Sequence, residues 1–390
     1  MFIALFSLAI EAAAVALAWM HHIAGLHTDE AKYLLNIPYP HPPLFRWLIG
    51  LNDGWRHQEI FWRIVFATLL LHAVWLIWDM GRMLPKRQRV ALCGLWIFSS
   101  AVLLQAGSIG MAPITALQAL LAIWLLSRPN LLARYPTLPA FLWLSMLFTA
   151  YQAVLFAPII IVLLWRTRTS LLTKGIAFVA PMILLGLYTL INPLAVVAMG
   201  FAGTMSTQLP ILDFLSRGIR AWLMAGSIVL SVMGVVGLLL GKGWEYILSA
   251  ALVAAYVFVA YRPYYAILFP PILIAGLVSA PRLLKFGIPL LILQIMLGLF
   301  FTWTAPPQVI SAARPVGQIL RSHDVHGIVL INGAFGHDWQ YEMPGRVQRY
   351  DTEFITRASA AVCLDVCKGI PRSWQKINET PEVWTVPQTP

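Results

Sequence analysis

Hydrophobic positions in this chain fall in runs of roughly twenty residues separated by short polar loops, with no sustained alternation and no heptad array. Runs of that length match the apolar thickness of a bilayer. There, backbone polar groups must be satisfied within each segment, so the runs read as transmembrane helices. The pattern places helices at roughly 2–22, 60–79, 90–106, 112–127, 175–194, 219–240, 244–260, 264–280 and 286–304. Between the fourth and fifth of these lies one longer apolar run, 138–165, which reads either as one tilted helix or as two short ones. Arg128 and Arg134 precede it and Arg166, Arg168 and Lys174 follow it, and both groups read as cytoplasmic. An even number of crossings is then required, which favours two short helices meeting at Thr149-Ala150-Tyr151-Gln152. The expected fold is an all-α polytopic membrane protein with about 11 transmembrane helices.

Loop charge sets the orientation. Gly81 to Arg89 carries Arg82, Lys86, Arg87 and Arg89 without an acid and is assigned to the cytoplasm. The proposed inner loops hold twelve Lys and Arg against seven in the outer loops of the membrane part, giving an inside N-terminus and an outside C-terminus. Residues 1–20 show neither a basic leader nor a small-residue cleavage site, so the first helix is expected to be retained.

After residue 304 the pattern changes. Residues 305–390 hold eight of the sixteen acids, a short amphipathic helix at Val316 to Arg321, and Ile328-Val329-Leu330-Ile331, which reads as a buried strand. Two domains are therefore expected: 1–304, a membrane domain whose first external loop is 23–59, and 305–390, a small α/β extracytoplasmic cap. Cys363 and Cys367 lie in the cap and Cys93 in a helix. Outside the cytoplasm the four-residue spacing permits either a disulfide closing a turn or two reduced thiols one helical turn apart.

Composition removes other classes. With 59% hydrophobic and 11% charged residues and a mean hydropathy of +0.76, the chain is not a soluble domain. A net charge of +11 would suit nucleic acid, but the basic residues are confined to short loops between apolar runs.

The chemistry-bearing residues concentrate just after the first helix, in His27-Thr28-Asp29-Glu30-Ala31-Lys32-Tyr33 and His41-Pro42-Pro43-Leu44. Adjacent carboxylates beside a membrane are costly to desolvate and need a reason. One reason is chemistry, with Asp29 or Glu30 taking a proton from an acceptor hydroxyl as it attacks an activated sugar carbon. The other is structure, with Thr28 or Asp29 capping a short helix. Glu59 and Arg63 form an i, i+4 pair that reads as a surface ion pair or as a second acid with its orienting base. His27, His41 and His57 share this loop, and Asp29, Glu59 and His57 form a candidate divalent-cation set. Pro42-Pro43 directs the chain into Leu44 to Leu48, a segment suited to the bilayer surface. Arg217, Arg220 and Arg262 lie at outer helix ends, the last beside Tyr264 and Tyr265. They suit a phosphate or an interfacial anchor.

Taken together, Thr28-Asp29-Glu30 with Tyr33, His41-Pro42-Pro43-Leu44 with Trp47, and Glu59-x-x-x-Arg63 resemble the start of the GT-C membrane glycosyltransferases. They resemble most the family 39 type, which includes protein O-mannosyltransferases and lipid A aminoarabinose transferases. Arg262-Pro263-Tyr264-Tyr265 through Pro270-Pro271 is similar to a late helix of that family. The resemblance covers about 1–130 well and 255–280 loosely. It implies an outward-facing cavity, a polyprenyl-phosphate sugar donor, inversion at the anomeric carbon, Asp29 as base and Glu59 as second acid. Lys32, Tyr33, His41, Arg63, Arg217, Arg220, Arg262, Tyr264 and Tyr265 become candidate substrate contacts. A divalent cation is the only cofactor implied, and only for some members.

One departure stands out. Where members carry an acid opening the fourth helix, this chain has Gly110-Met111-Ala112-Pro113, which points to a different acceptor or a lower turnover. The expected partners are the donor lipid, a hydroxyl acceptor on a lipid-linked glycan, lipopolysaccharide or protein, and membrane lipid, with no nucleic acid. The expected location is a bacterial inner membrane with the active site and C-terminus facing the periplasm. Two other readings remain: a transporter or flippase of lipid-linked sugars, and a non-catalytic subunit of the same fold.

Overall fold

The computed structural model describes residues 2–196, 211–241, 243–259, 263–304 and 311–387. It is 71% helical with one small mixed sheet. In chain order the helices begin with α1 (Phe2–Ala24), α2 (Thr28–Leu34), α3 (Pro43–Ile49), α4 (Gln58–His72), α5 (Val74–Met80) and α6 (Lys86–Ile97). Then come α7 (Ser100–Gln105), α8 (Met111–Leu126), α9 (Pro129–Arg134), α10 (Leu138–Thr149), α11 (Ala157–Trp165) and α12 (Leu171–Ile191). After residue 210 follow α13 (Ile211–Ala225), α14 (Val229–Gly241), α15 (Trp244–Val259), α16 (Phe269–Ser279), α17 (Gly287–Thr304), α18 (Ala313–Ser322) and α19 (His337–Glu342).

The chain forms two compact units. The first comprises Met1–Trp19, Pro38–Leu51 and Ile60–Ala305, and the second Met20–Ile37, Asn52–Glu59 and Pro306–Pro390. Sequence alone kept the whole first external loop with the membrane helices. In the structure much of that loop packs with the C-terminal residues.

The first unit is a helical assembly around one large apolar core. Among the described residues four segments are long and apolar enough to cross a membrane: Leu5–Ala24, Gln58–Met80, Leu171–Ile191 and Pro281–Phe300. The other apolar helices run 10–17 residues, so helix length supports four crossings and not the full count of about eleven. The 138–165 run breaks where the loop charges require. α10 ends at Thr149, Ala150 is extended, and a 3₁₀ turn over Tyr151–Phe156 leads into α11.

A second break separates α13 from α14, where Ser227 (φ 52°) and Ile228 (φ 70°) both adopt left-handed backbone. Side chains at this break and on α17 satisfy backbone groups here and at the α6–α7 junction, as a segment without water requires. The Ser227 hydroxyl accepts from the Ser100 N–H at 2.8 Å and donates to the Phe98 carbonyl at 3.2 Å. Gln294 of α17 accepts from the Leu230 N–H at 3.3 Å and donates to the same Phe98 carbonyl at 2.9 Å. Helices α14 and α16 meet backbone to backbone. A Cβ on Gly237 would come within 2.6 Å of the Gly276 carbonyl group, and one on Gly276 within 2.5 Å of the Gly234 carbonyl oxygen. Small residues at such crossings let membrane helices approach closely.

The second unit is α/β in its C-terminal part. Its five strands are β1 (Val329–Asn332), β2 (Val347–Arg349), β3 (Ala360–Cys363), β4 (Gln375–Glu379) and β5 (Glu382–Thr385), ordered β2-β1-β3-β5-β4. β1 runs parallel to both neighbours, in register Val329 to Val347 and Val329 to Ala360. β5 is antiparallel to β3 and β4. The period-2 alternation of strand side chains explains why β1 is buried on both faces. Val329 and Ile331 pack with Val316 and Leu320 of α18, whereas Leu330 packs with Ile355 and Trp374. Cys363 and Cys367 are joined as a disulfide with Cα atoms 5.6 Å apart, and Cys93 is a buried free thiol.

Candidate active site

The acidic motif opens α2, and a reciprocal capping box decides which carboxylate remains accessible. His27 is the N-cap: its Nδ1 accepts from the Asp29 N–H at 3.2 Å, and the Glu30 carboxylate accepts from the His27 N–H at 3.0 Å. The cap residue is thus His27, not the expected Thr28 or Asp29, and the box satisfies amide groups that a helix start leaves orphaned. Glu30 is buried and committed to this role. The Thr28 hydroxyl turns elsewhere, donating to Asp338 Oδ1 of α19 at 2.9 Å. Gly336, just before α19, has no room for a side chain because a Cβ there would overlap the Thr28 hydroxyl.

Asp29 is different. Its carboxylate accepts from Lys32 Nζ at 3.2 Å and lies 3.9 Å from His27 Nδ1, with the side chain 31% exposed. Tyr33, on the same helix, is buried. Of the two adjacent acids, only Asp29 combines solvent access with a basic neighbour.

Glu59 is 4% exposed and held by a residue that sequence reasoning missed. Arg314 of α18 donates from Nη2 to Glu59 Oε2 at 2.6 Å and from Nη1 to Oε1 at 3.2 Å. Its Nε donates to Glu342 Oε1 at 2.6 Å, and it also bonds the His22 carbonyl. His22 Nδ1 lies 3.2 Å from Glu59 Oε1. Burial alone would lower the Arg314 pKa, yet the Glu59 and Glu342 carboxylates hold it above the ordinary arginine value. A planar donor fork between two carboxylates is the geometry arginine favours. Arg314 and Glu59 are 255 positions apart, and no local pattern signals a pair at that separation.

Two members of the candidate cation set, Glu59 and His57, have other neighbours in the structure. Both Glu59 oxygens are taken by Arg314, and His57 is exposed, with its ring against Trp55 at 6.0 Å. Among the described residues no group of three or more His, Cys, Asp and Glu could hold a metal ion.

The remaining candidates belong to the helical unit. The Tyr39-Pro40-His41 strap is clamped through three consecutive carbonyls. Asn192 Nδ2 donates to that of Tyr39 at 3.4 Å, the Tyr151 hydroxyl to that of Pro40 at 3.0 Å, and the Tyr188 hydroxyl to that of His41 at 3.3 Å. The His41 ring stacks on Tyr39 at 4.5 Å and faces Tyr151 at 5.9 Å. Downstream of the strap, α3 buries Phe45 and exposes Trp47 and Leu48, the amphipathic division expected of a surface-lying segment.

At the 138–165 break, Gln152 donates from Nε2 to the Tyr256 hydroxyl at 2.8 Å and the Tyr265 hydroxyl at 2.9 Å. Tyr265 also packs against Tyr264, with ring centroids 4.6 Å apart. Sequence reasoning selected Tyr264 and Tyr265 but not Gln152 or Tyr256. A polar side chain at a break within an apolar run was the available signal. Arg63 is fully buried and donates to the Gly107 carbonyl at 2.9 Å. Arg220 is exposed on α13. The Arg217 side chain and all of Arg262 lie outside the described residues. Met111 opens α8, with Gly110 as the residue before it and no side-chain cap. No protein-family model matches this sequence, and no curated protein matches it.

Proposed function

We propose that the chain is a multi-pass glycosyltransferase of the GT-C type in a bacterial inner membrane, spanning it about eleven times with its acidic loop and C-terminus in the periplasm. It transfers a sugar from a polyprenyl-phosphate donor to a hydroxyl of a lipid-linked glycan, lipopolysaccharide or protein acceptor. The observation that carries this reading is the division of labour around α2. Glu30 caps the helix and Glu59 neutralises Arg314, which leaves Asp29 as a partly exposed carboxylate beside Lys32.

In this mechanism Asp29 accepts the proton of the acceptor hydroxyl as its oxygen attacks the anomeric carbon. The bond from that carbon to the donor phosphate breaks, and the lipid phosphate leaves with the electron pair. Arg262 keeps its sequence-based assignment as the cation that stabilises the leaving phosphate.

The test is transfer of labelled sugar from a panel of polyprenyl-phosphate sugars in membranes, wild type against Asp29→Asn. Asparagine keeps the shape but cannot take the proton, so turnover should fall by about 10²- to 10⁴-fold while donor binding persists. Equal transfer by both proteins removes Asp29 as base. Donor binding without transfer in the wild type supports a flippase or a non-catalytic subunit instead.

A further inference from the structure

We infer that the basic end of α12 holds one anionic phospholipid, its acyl chain lying along the helix and its headgroup against Arg168 and Lys174. The inference stands apart from the glycosyltransferase reading and needs only that α12 crosses a bilayer. Leu171–Ile191 is among the four segments long and apolar enough to do so. An open apolar groove of about 620 Å³ runs along it from Leu171 to Ile183. The groove follows two neighbouring rows spaced i, i+4, one through Gly175 and Val179 and the other through Ile176 and Ala180. Gly175 leaves a notch in the first row, where an added Cβ would meet nothing within 4 Å. From Leu171 to Ile183 the helix rises about 18 Å, close to the ~15 Å of hydrocarbon in one leaflet. The groove therefore suits one ordinary acyl chain, and a longer chain would overrun it.

Charge selects the headgroup. Arg168 is exposed three residues before the groove begins, and Lys174 adjoins Gly175. Lys174 donates to the Trp165 carbonyl at 2.9 Å, which positions its ammonium without neutralising it. Among the described residues neither Arg168 nor Lys174 forms an ion pair, and the sequence has no acid between Asp79 and Asp213. Two cations at the mouth of an apolar groove attract an anionic headgroup, and each adds its own attraction near a membrane surface. The same charges disfavour a second copy on this face. A two-fold pairing along α12 would set each basic loop against its own duplicate.

The test is equilibrium binding of phosphatidylglycerol and phosphatidylethanolamine, with identical acyl chains, to the full chain in detergent, counted by native mass spectrometry. Wild type should bind one phosphatidylglycerol about tenfold more tightly than phosphatidylethanolamine. Arg168→Gln should lose about fivefold on phosphatidylglycerol and less on phosphatidylethanolamine. Gly175→Leu fills the groove and should lose about tenfold on phosphatidylglycerol. Gly186→Leu should lose nothing, because it lies on the same helix beyond the groove, where a Cβ also meets nothing within 4 Å. Both leucines favour the helix over glycine. Equal binding of the two lipids by wild type, or equal losses in the two leucine variants, overturns the inference. So does a loss in Arg168→Gln with none in Gly175→Leu, which reduces the site to a headgroup contact.

If the variants do not fold, competition on wild type decides. Excess soluble glycerol phosphate should leave phosphatidylglycerol bound, and displacement by it overturns a lipid site. A polyprenyl phosphate should bind more weakly than phosphatidylglycerol, and tighter binding overturns the phospholipid as occupant. A dimer that dissociates in Gly175→Leu while lipid binding is unchanged overturns the inference in favour of a second copy.

Discussion

Arg314 shows how much a single unpredicted side chain can decide. It is 8% exposed and shared between Glu59 and Glu342, so its removal takes a charged partner from buried Glu59 and half-buried Glu342. Breaking a buried pair by deleting one partner typically costs about 3–5 kcal/mol. Arg314→Ala should therefore destabilise the second unit by an amount in that range, read as faster amide exchange in β1 and β3. Arg314→Lys keeps the charge but loses the fork and should fall between the two. If exchange in β1 and β3 is unchanged in Arg314→Ala, the cluster does not hold this unit. The same residue marks a limit of sequence reading. Asp29, Glu30 and Glu59 were visible as acids too costly to be accidental, but their roles depend on partners. His27 could be recognised as a loop histidine, while its use as an N-cap depends on the orientation of one ring nitrogen. Serine, threonine, aspartate and asparagine are the caps that propensity suggests.

At the level of elements, the legible features were those dictated by solvent. The apolar runs became helices, loop charge favoured two helices over one in the 138–165 run, and the Thr149–Gln152 stretch marked where they part. The buried strand at 328–331 became β1, shifted by one. The short 3₁₀ pieces and the α13–α14 turn were not legible, because nothing in Ala225-Gly226-Ser227-Ile228 requires positive φ at the last two positions. Glycine precedes them, yet the left-handed residues are a serine and a β-branched isoleucine. That conformation costs an L-residue roughly 1–2 kcal/mol, and more is expected for a branched side chain. Comparing two truncations isolates the backbone contribution. Ile228→Ala and Ile228→Gly both delete the same apolar group, but only alanine keeps a Cβ in the left-handed region. Ile228→Gly should thus be more stable than Ile228→Ala by about 1 kcal/mol, measured by thermal unfolding of the detergent-solubilised protein. The reverse order, which ordinary helix propensity predicts, would mean the turn relaxes out of the left-handed region.

At the scale of the whole molecule, the least legible fact is that residues 20–37 and 52–59 share a compact unit with 306–390. A change in composition near residue 304 reveals that a second fold begins there, but composition carries no information about which earlier segments join it. The union is made by pairs such as Thr28 with Asp338 and Arg314 with Glu59, which a single sequence does not correlate. It also gives the cysteines a use as topology reporters. The cap's Cys363–Cys367 bridge requires an oxidising compartment, whereas Cys93 lies in α6, whose first turn belongs to the basic Arg82–Arg89 stretch assigned to the cytoplasm. Chain unfolded directly from membranes in excess alkylating agent without reductant should take up one alkyl group, and three when reduced first. Finding three before reduction would place the cap on the reducing side. The acidic loop belongs to the same unit, so Asp29 would go with it, and the periplasmic orientation on which the proposed chemistry depends would be lost.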